Sequence, residues 1–292
     1  INVIKSKLLK SYPIDSFKSD NYNLLMALLF GEKSELSKEL SNSYTQAGII
    51  HILAISGLHI ALIYGIVLWL TKPLLRLKKG KMYIFLISLS VLWFYAILAG
   101  FSASIVRAAV MFSVIAFAKI LNRQSNIYNS LALSAMILLL YNPNYLFDVG
   151  FQLSFAAVLS IIVFQPFVRK YSYSKNYFLR ETKSLLLISL VAQIGVLPLT
   201  LYYFGQFPLL FLVANLIAIP LSSIVLVLGL VLIPFNFLLP KIAIYLSVFV
   251  NFLIDLMNNF TAWIVQFDTF IIKNIAFHEV LVLLMYVIIG CV

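Results

Sequence analysis

Charge is what this chain of 292 residues has least of. Asp, Glu, Lys and Arg make up 11% of it, where a soluble domain carries about 25%. A water-exposed globular surface is therefore excluded. Cysteine is almost absent: Cys291 stands alone, which rules out an intramolecular disulfide and any multi-cysteine metal site. There is no glycine-rich phosphate loop, so no ATPase is built into the chain. It also lacks a GxSxG nucleophile motif and an HxHxDH-type metal cluster. No cofactor is expected.

What is there is hydrocarbon. Hydrophobic residues make up 63% of the chain, its mean hydropathy is +1.03, and apolar runs long enough to cross a bilayer recur along most of its length. The alternating ten-residue segments of a β-barrel are missing. The expected fold is all-α: a polytopic membrane protein of about 8–10 transmembrane helices, some broken or kinked, preceded by short interfacial helices. Spans are expected near 48–71, 82–99, 103–120, 127–141, 151–168, 184–203, 209–233, 242–266 and 276–292. Residues 1–47, polar and weakly amphipathic, read as an extracytoplasmic or interfacial segment, and 48–292 as the membrane bundle. The chain opens on Ile1 and stops inside the apolar "VIIGCV", which reads as a piece of a longer polypeptide.

The net charge of +11 is unevenly placed. Lys72, Arg76, Lys78, Lys79 and Lys81 share one loop, Lys119 and Arg123 flank another, and Arg169, Lys170, Lys175, Arg180 and Lys183 crowd a third. Lys241 belongs to the same alternate set of loops, while the opposite set holds only Lys273. Basic loops stay in the cytoplasm, so His51 is expected at the outer end of the first span. The N-terminal segment then lies outside, despite Lys5, Lys7, Lys10, Lys18, Lys33 and Lys38. Either its charge was never read for topology, or it is a basic surface meeting something acidic such as a nucleic acid.

Several polar residues sit where lipid would be expected. In "HILAISGLHIALIYG" (51–65), His51, Ser56 and His59 fall within one arc of a helical wheel, beside Gly48. On a continuous helix the two imidazoles would stand about 12 Å apart, too far for one metal ion. Ser56 and Gly57 suit close helix packing, but paired intramembrane histidines point to a cavity or path. In "AGFSASIVRAAVM" (99–111), Ser104 lies at the start of the third span and Arg107 one turn in. Arg107 either snorkels or pairs with an acid, Asp148 being the preferred partner, or it is a fixed positive charge at an outer mouth. Gln152 and Ser154 follow on the fifth span, and Gln193 on the sixth. Asn215, between Pro208 and Pro220, suggests a kinked or broken helix beside a pathway. Asp255 and Glu279 could pair with Arg107, relay protons or sit near an interface.

Four of these stretches recur together in one family. "GIIHILAISGLHIALI" (48–63), "GFSASIVRAAVM" (100–111), "NPNYLFDVGFQLSFAA" (142–157) and "PLTLYYFGQFPLLFLVANLIAIP" (198–220) occur in the order seen in the membrane "competence" domain of the ComEC family of DNA-uptake channels, which the chain resembles from about residue 22 onward. The resemblance implies a channel for single-stranded DNA across the bacterial inner membrane during natural transformation. It implies DNA-receptor and cytoplasmic motor or single-strand-binding partners, as well as membrane lipid. Family members commonly add an N-terminal OB-like and a C-terminal metallo-β-lactamase-like domain; neither signature occurs here, so no enzymatic activity is expected of this stretch. The expected path residues are His51, Ser56, Gly57, His59, Ser104, Arg107, Gln152, Ser154, Gln193 and Asn215. The competing expectations are a proton-coupled small-solute transporter built on Asp255 and Glu279, and an intramembrane hydrolase built on Ser56 and a histidine.

Overall fold

The structure is a computed structural model that describes residues 17–53, 55–121 and 126–291. Lys5, Lys7, Lys10, Arg123 and the first third of the N-terminal segment lie outside the described residues. Helices dominate, as the hydropathy demands. In chain order they are α1 (Ser19–Phe30), α2 (Lys38–Gln46), α3 (Gly57–Thr71), α4 (Gly80–Leu98), α5 (Ala103–Ile120) and α6 (Ile127–Tyr141). Then come α7 (Val149–Val163), α8 (Gln165–Ser172), α9 (Tyr177–Phe204), α10 (Phe211–Leu238), α11 (Pro240–Val265) and α12 (Glu279–Cys291). Six helical segments are long and apolar enough to cross a membrane, α7 with α8 could make a seventh, and α6 and α12 are shorter apolar helices. The chain is a polytopic all-α membrane protein.

Three expectations need correction. The run 151–168 is not one straight span: α7 and α8 meet at 57°. Pro166, in the first turn of α8, has no N–H and its ring crowds the carbonyl four residues back, which favours a break at that point. The run 209–233 is not broken, because α10 is continuous across Pro220 and Pro234.

The third concerns α1, whose second half is packed into the bundle. Every side chain from Leu24 to Phe30 is buried, as befits a segment that is apolar on all sides. It packs on α10 and α11, where Gly229 leaves space: a Cβ there would lie 2.9 Å from Leu29 Cδ1 and 3.0 Å from Leu25 Cδ1. Tyr95 Oη on α4 donates to the Leu29 carbonyl at 2.9 Å. By contrast α2 is mostly half-buried, N-capped by Ser37, with Tyr44 as its buried anchor.

Close packing of small residues joins the other helices. A Cβ at Gly195 of α9 would stand 2.4 Å from Ser160 Cβ of α7, and Ser160 Oγ donates to the Val191 carbonyl at 2.7 Å. At one end of the bundle, strands β1 (Phe207–Pro208) and β2 (Ile271–Ile272) pair antiparallel and tie the α9–α10 and α11–α12 connections together.

Candidate functional site: an uncompensated arginine at a helix start

The first predicted span does not begin at residue 48. Gly48 takes a left-handed φ of 78°, Ile50–Ile52 form a single 3-10 turn, and the helix proper starts only at Gly57, with Ser56 as its extended N-cap. The shared wheel of His51, Ser56 and His59 is therefore overturned, since two of the three precede the helix. The segment before Gly57 is an irregular stretch wedged into the bundle by its apolar side chains: Ile49, Ile52, Leu53 and Ile55 are buried. Gly48 is held against the β1 connection, where a Cβ would sit 2.7 Å from Pro208 Cγ. His51 is exposed on its 3-10 turn.

His59, the third residue of α3, is buried. Its Nδ1 accepts from the Ser56 backbone N–H at 3.0 Å, as the side chain of a capping box does. The imidazole proton then belongs on Nε2. One role of the "SGLH" string is thus mechanical: it ends the irregular stretch and starts the helix.

Arg107, on α5, comes up against this helix start. It is buried, with 4% of its surface exposed. Nη1 donates to the Ser154 carbonyl of α7 at 2.8 Å, and the guanidinium carbon lies 5.6 Å from the Phe155 ring centroid. A Cβ on Gly57 would be 3.0 Å from Nη2, so a glycine at the first helical position lets the guanidinium approach. Ser104, one turn before Arg107, donates from Oγ to the Ile55 carbonyl at 2.9 Å and pins α5 to the irregular stretch.

No carboxylate among the described residues reaches Arg107. Asp148 instead caps α7, its Oδ1 accepting from Phe151 N–H at 2.7 Å, so the expected Asp148–Arg107 pair is not formed. Asp255 binds Lys18 and Asn21, and Glu279 accepts from the Tyr202 hydroxyl at 3.0 Å. Arg107 Nε is buried without a hydrogen-bond partner. A cation beside a helix N-terminus is repelled by the helix dipole. Both features favour an anion placed between them.

The remaining predicted path residues divide. Ser56, Gly57, His59, Ser104, Arg107 and the Ser154 backbone meet around the start of α3. Gln152 does not join them: it donates to the Leu146 carbonyl at 2.8 Å and accepts from Tyr203 Oη at 2.8 Å, bracing α7 to α9. Gln193 is half-buried on α9. Asn215 is buried on α10, and its Oδ1, like Arg107 Nε, has no partner.

A second polar cluster was not anticipated as one. Asn251, Asp255 and Asn258 form a stripe along α11, and α1 and α2 are bound to it. Asn21 Nδ2 donates to Asn251 Oδ1 at 2.6 Å and to Asp255 Oδ1 at 2.7 Å, while Lys18 Nζ reaches Asp255 Oδ2 at 2.6 Å. Asn258 Nδ2 donates to Asn21 Oδ1 at 3.2 Å. Tyr44 Oη donates to Asn258 Oδ1 at 2.7 Å; burial pushes the pKa of this phenol above its usual range, so it remains a donor. The spacing of four and three residues in "NFLIDLMN" was the available signal.

Comparison with known proteins places these features. The sequence profile described as "Competence protein" matches residues 28–292. The chain is 31% identical over 201 residues to ComE operon protein 3 of Bacillus subtilis, covering 69% of this chain and 25% of that protein. It is 30% identical over 220 residues to competence protein ComA of Neisseria gonorrhoeae, covering 73% and 30%. It is 31% identical over 222 residues to recombination protein 2 of Haemophilus influenzae, covering 70% and 27%. The chain thus spans only about a quarter to a third of the length of these relatives. No solved structure matches. With a family match across nearly its whole length, and a bundle whose irregular first span carries the HILAISGLH signature, the chain belongs to the competence-protein family.

Proposed function

We propose that this chain conducts single-stranded DNA across the bacterial inner membrane during natural transformation, with the lysine-rich loops in the cytoplasm and the start of α3 at the outer side. One observation carries the reading: Arg107 is buried at a helix N-terminus with an unpaired Nε and no acidic partner among the described residues. A DNA strand supplies one phosphate charge per nucleotide and meets such a point in passing. A channel must not hold its cargo too tightly, and a lone guanidinium flanked by Phe155 offers one charge and one aromatic face. DNA-receptor proteins outside, a cytoplasmic motor or single-strand-binding protein, and OB-like and metallo-β-lactamase-like domains of a longer polypeptide are the partners this reading requires. It assigns no catalysis to the chain.

The transporter alternative has less support, since Asp255 and Glu279 are engaged by neighbouring side chains and do not meet Arg107. The hydrolase alternative would need Ser56 Oγ on an imidazole nitrogen, whereas His59 Nδ1 faces the Ser56 N–H. The test is uptake of labelled DNA by cells carrying His51→Ala, His59→Ala or Arg107→Ala, with membrane abundance measured alongside. Loss of entry at normal abundance in Arg107→Ala is the expected result. Normal entry in all three variants at normal abundance would overturn the assignment.

A further inference from the structure

At the opposite end of the bundle, α3, α4 and α5 enclose a cavity of about 400 Å³. Its walls are almost wholly apolar, with Ala116 among the lining residues, and three lysines line it: Lys72, Lys81 and Lys119. Lys72 directly follows α3, Lys81 belongs to the first turn of α4 and Lys119 to the last turn of α5, so all three mark the same, basic end. All three are exposed, and Lys119 Nζ lies 5.6 Å from the Tyr64 ring centroid.

Tyr64 and Ser88 also belong to its lining; the residues are 6% and 1% exposed. By helical rise their backbones lie about 11 Å deeper than those of Lys72 and Lys81. Their hydroxyl oxygens are buried away from the open space, so the wall these residues present to it is apolar. From the bundle end inward the chemistry is therefore cationic, then hydrocarbon.

A phospholipid presents the complement: a phosphate at the interface and an acyl chain below it. We propose that this cavity binds one anionic phospholipid, its phosphate held by Lys72, Lys81 and Lys119 and an acyl chain lying along Ala116. Basic pockets between membrane helices bind such headgroups. A nucleic acid strand fits less well, since it would bring a charge every nucleotide into walls that are apolar beyond the lysines.

The test uses the intact protein, purified in a zwitterionic detergent and offered phosphatidylglycerol or phosphatidylcholine, with bound lipid counted by native mass spectrometry. Phosphatidylglycerol is expected to be held preferentially. The preference should fall by about fivefold for each of Lys72→Gln, Lys81→Gln and Lys119→Gln. All three positions are exposed, so the fold is retained. Ala116→Phe, which fills the slot, should release the lipid with the lysines intact. Equal retention of phosphatidylcholine, or an unchanged preference in the triple lysine variant, would overturn the proposal. So would displacement of the lipid by glycerol 3-phosphate, which makes the site one for a soluble anion. Displacement by a single-stranded oligonucleotide would assign the cavity to the DNA path and overturn it equally.

Discussion

Two polar places in this bundle, one half-buried and one buried, solve the problem of charge in opposite ways. Along α11, the Asp255 carboxylate is met by an ammonium and an amide, and the amides of Asn21, Asn251 and Asn258 bond in turn with one another and with Tyr44. At the start of α3, Arg107 has one carbonyl, one aromatic face and, among the described residues, no acid. A neutralised network fixes its helices and has little left to offer a ligand. An uncompensated cation costs stability and keeps its attraction for an anion. By this contrast the first cluster is the clamp and the second the contact.

Substitutions can break the comparison. The largest effect is expected for Arg107→Ala, which removes the charge from the contact: DNA entry should fall by about 100-fold at unchanged abundance, the scale of a desolvated charged contact. A fall only in step with abundance, measured by immunoblot of membranes, would make Arg107 a packing residue. Next is Asp255→Ala, which leaves Asn21 and Lys18 without their acceptor. Roughly 2 kcal/mol of stability should be lost, read as a lower melting temperature of the purified protein, with uptake per molecule unchanged. Gly57→Ala should split the two readouts: the added Cβ pushes on the far end of a flexible guanidinium, so the melting temperature holds or rises slightly while DNA entry drops by about fivefold. Lys18→Ala closes the series. Its side chain is 68% exposed, and an exposed pair is worth about 0.5 kcal/mol, so melting should barely move.

Much of the fold is legible in the sequence because hydropathy measures what the bilayer requires. The spans 103–120 and 127–141 coincide with α5 and α6. The start of the first span is not legible by that measure, since Ile49 and Leu53 are as apolar in an irregular wedge as they would be in a helix. The signal there is local: Ser56 is a preferred N-cap residue, and His59 three positions on can return a side-chain bond. The burial of α1 was hidden by its polar flanks, although "NLLMALLF" has no polar face to give to water. Arg107 stands out in the sequence, but its lack of an acidic partner among the described residues depends on where Asp148, Asp255 and Glu279 point. Those directions are settled by packing across the bundle, not by nearby residues.

The anchoring of α1 also sets an order of events. Lys18 and Asp255 are 237 positions apart in the chain, and the groove that takes Leu25 and Leu29 is formed by α10 and α11. Within this stretch, α1 is made well before the groove that receives it. Until α10 and α11 have been synthesised, α1 lacks the surface that takes Leu25 and Leu29, and Asn21 lacks its acceptors. The clamp therefore closes only when these distant segments meet, and an interruption of synthesis before α11 leaves α1 unclamped.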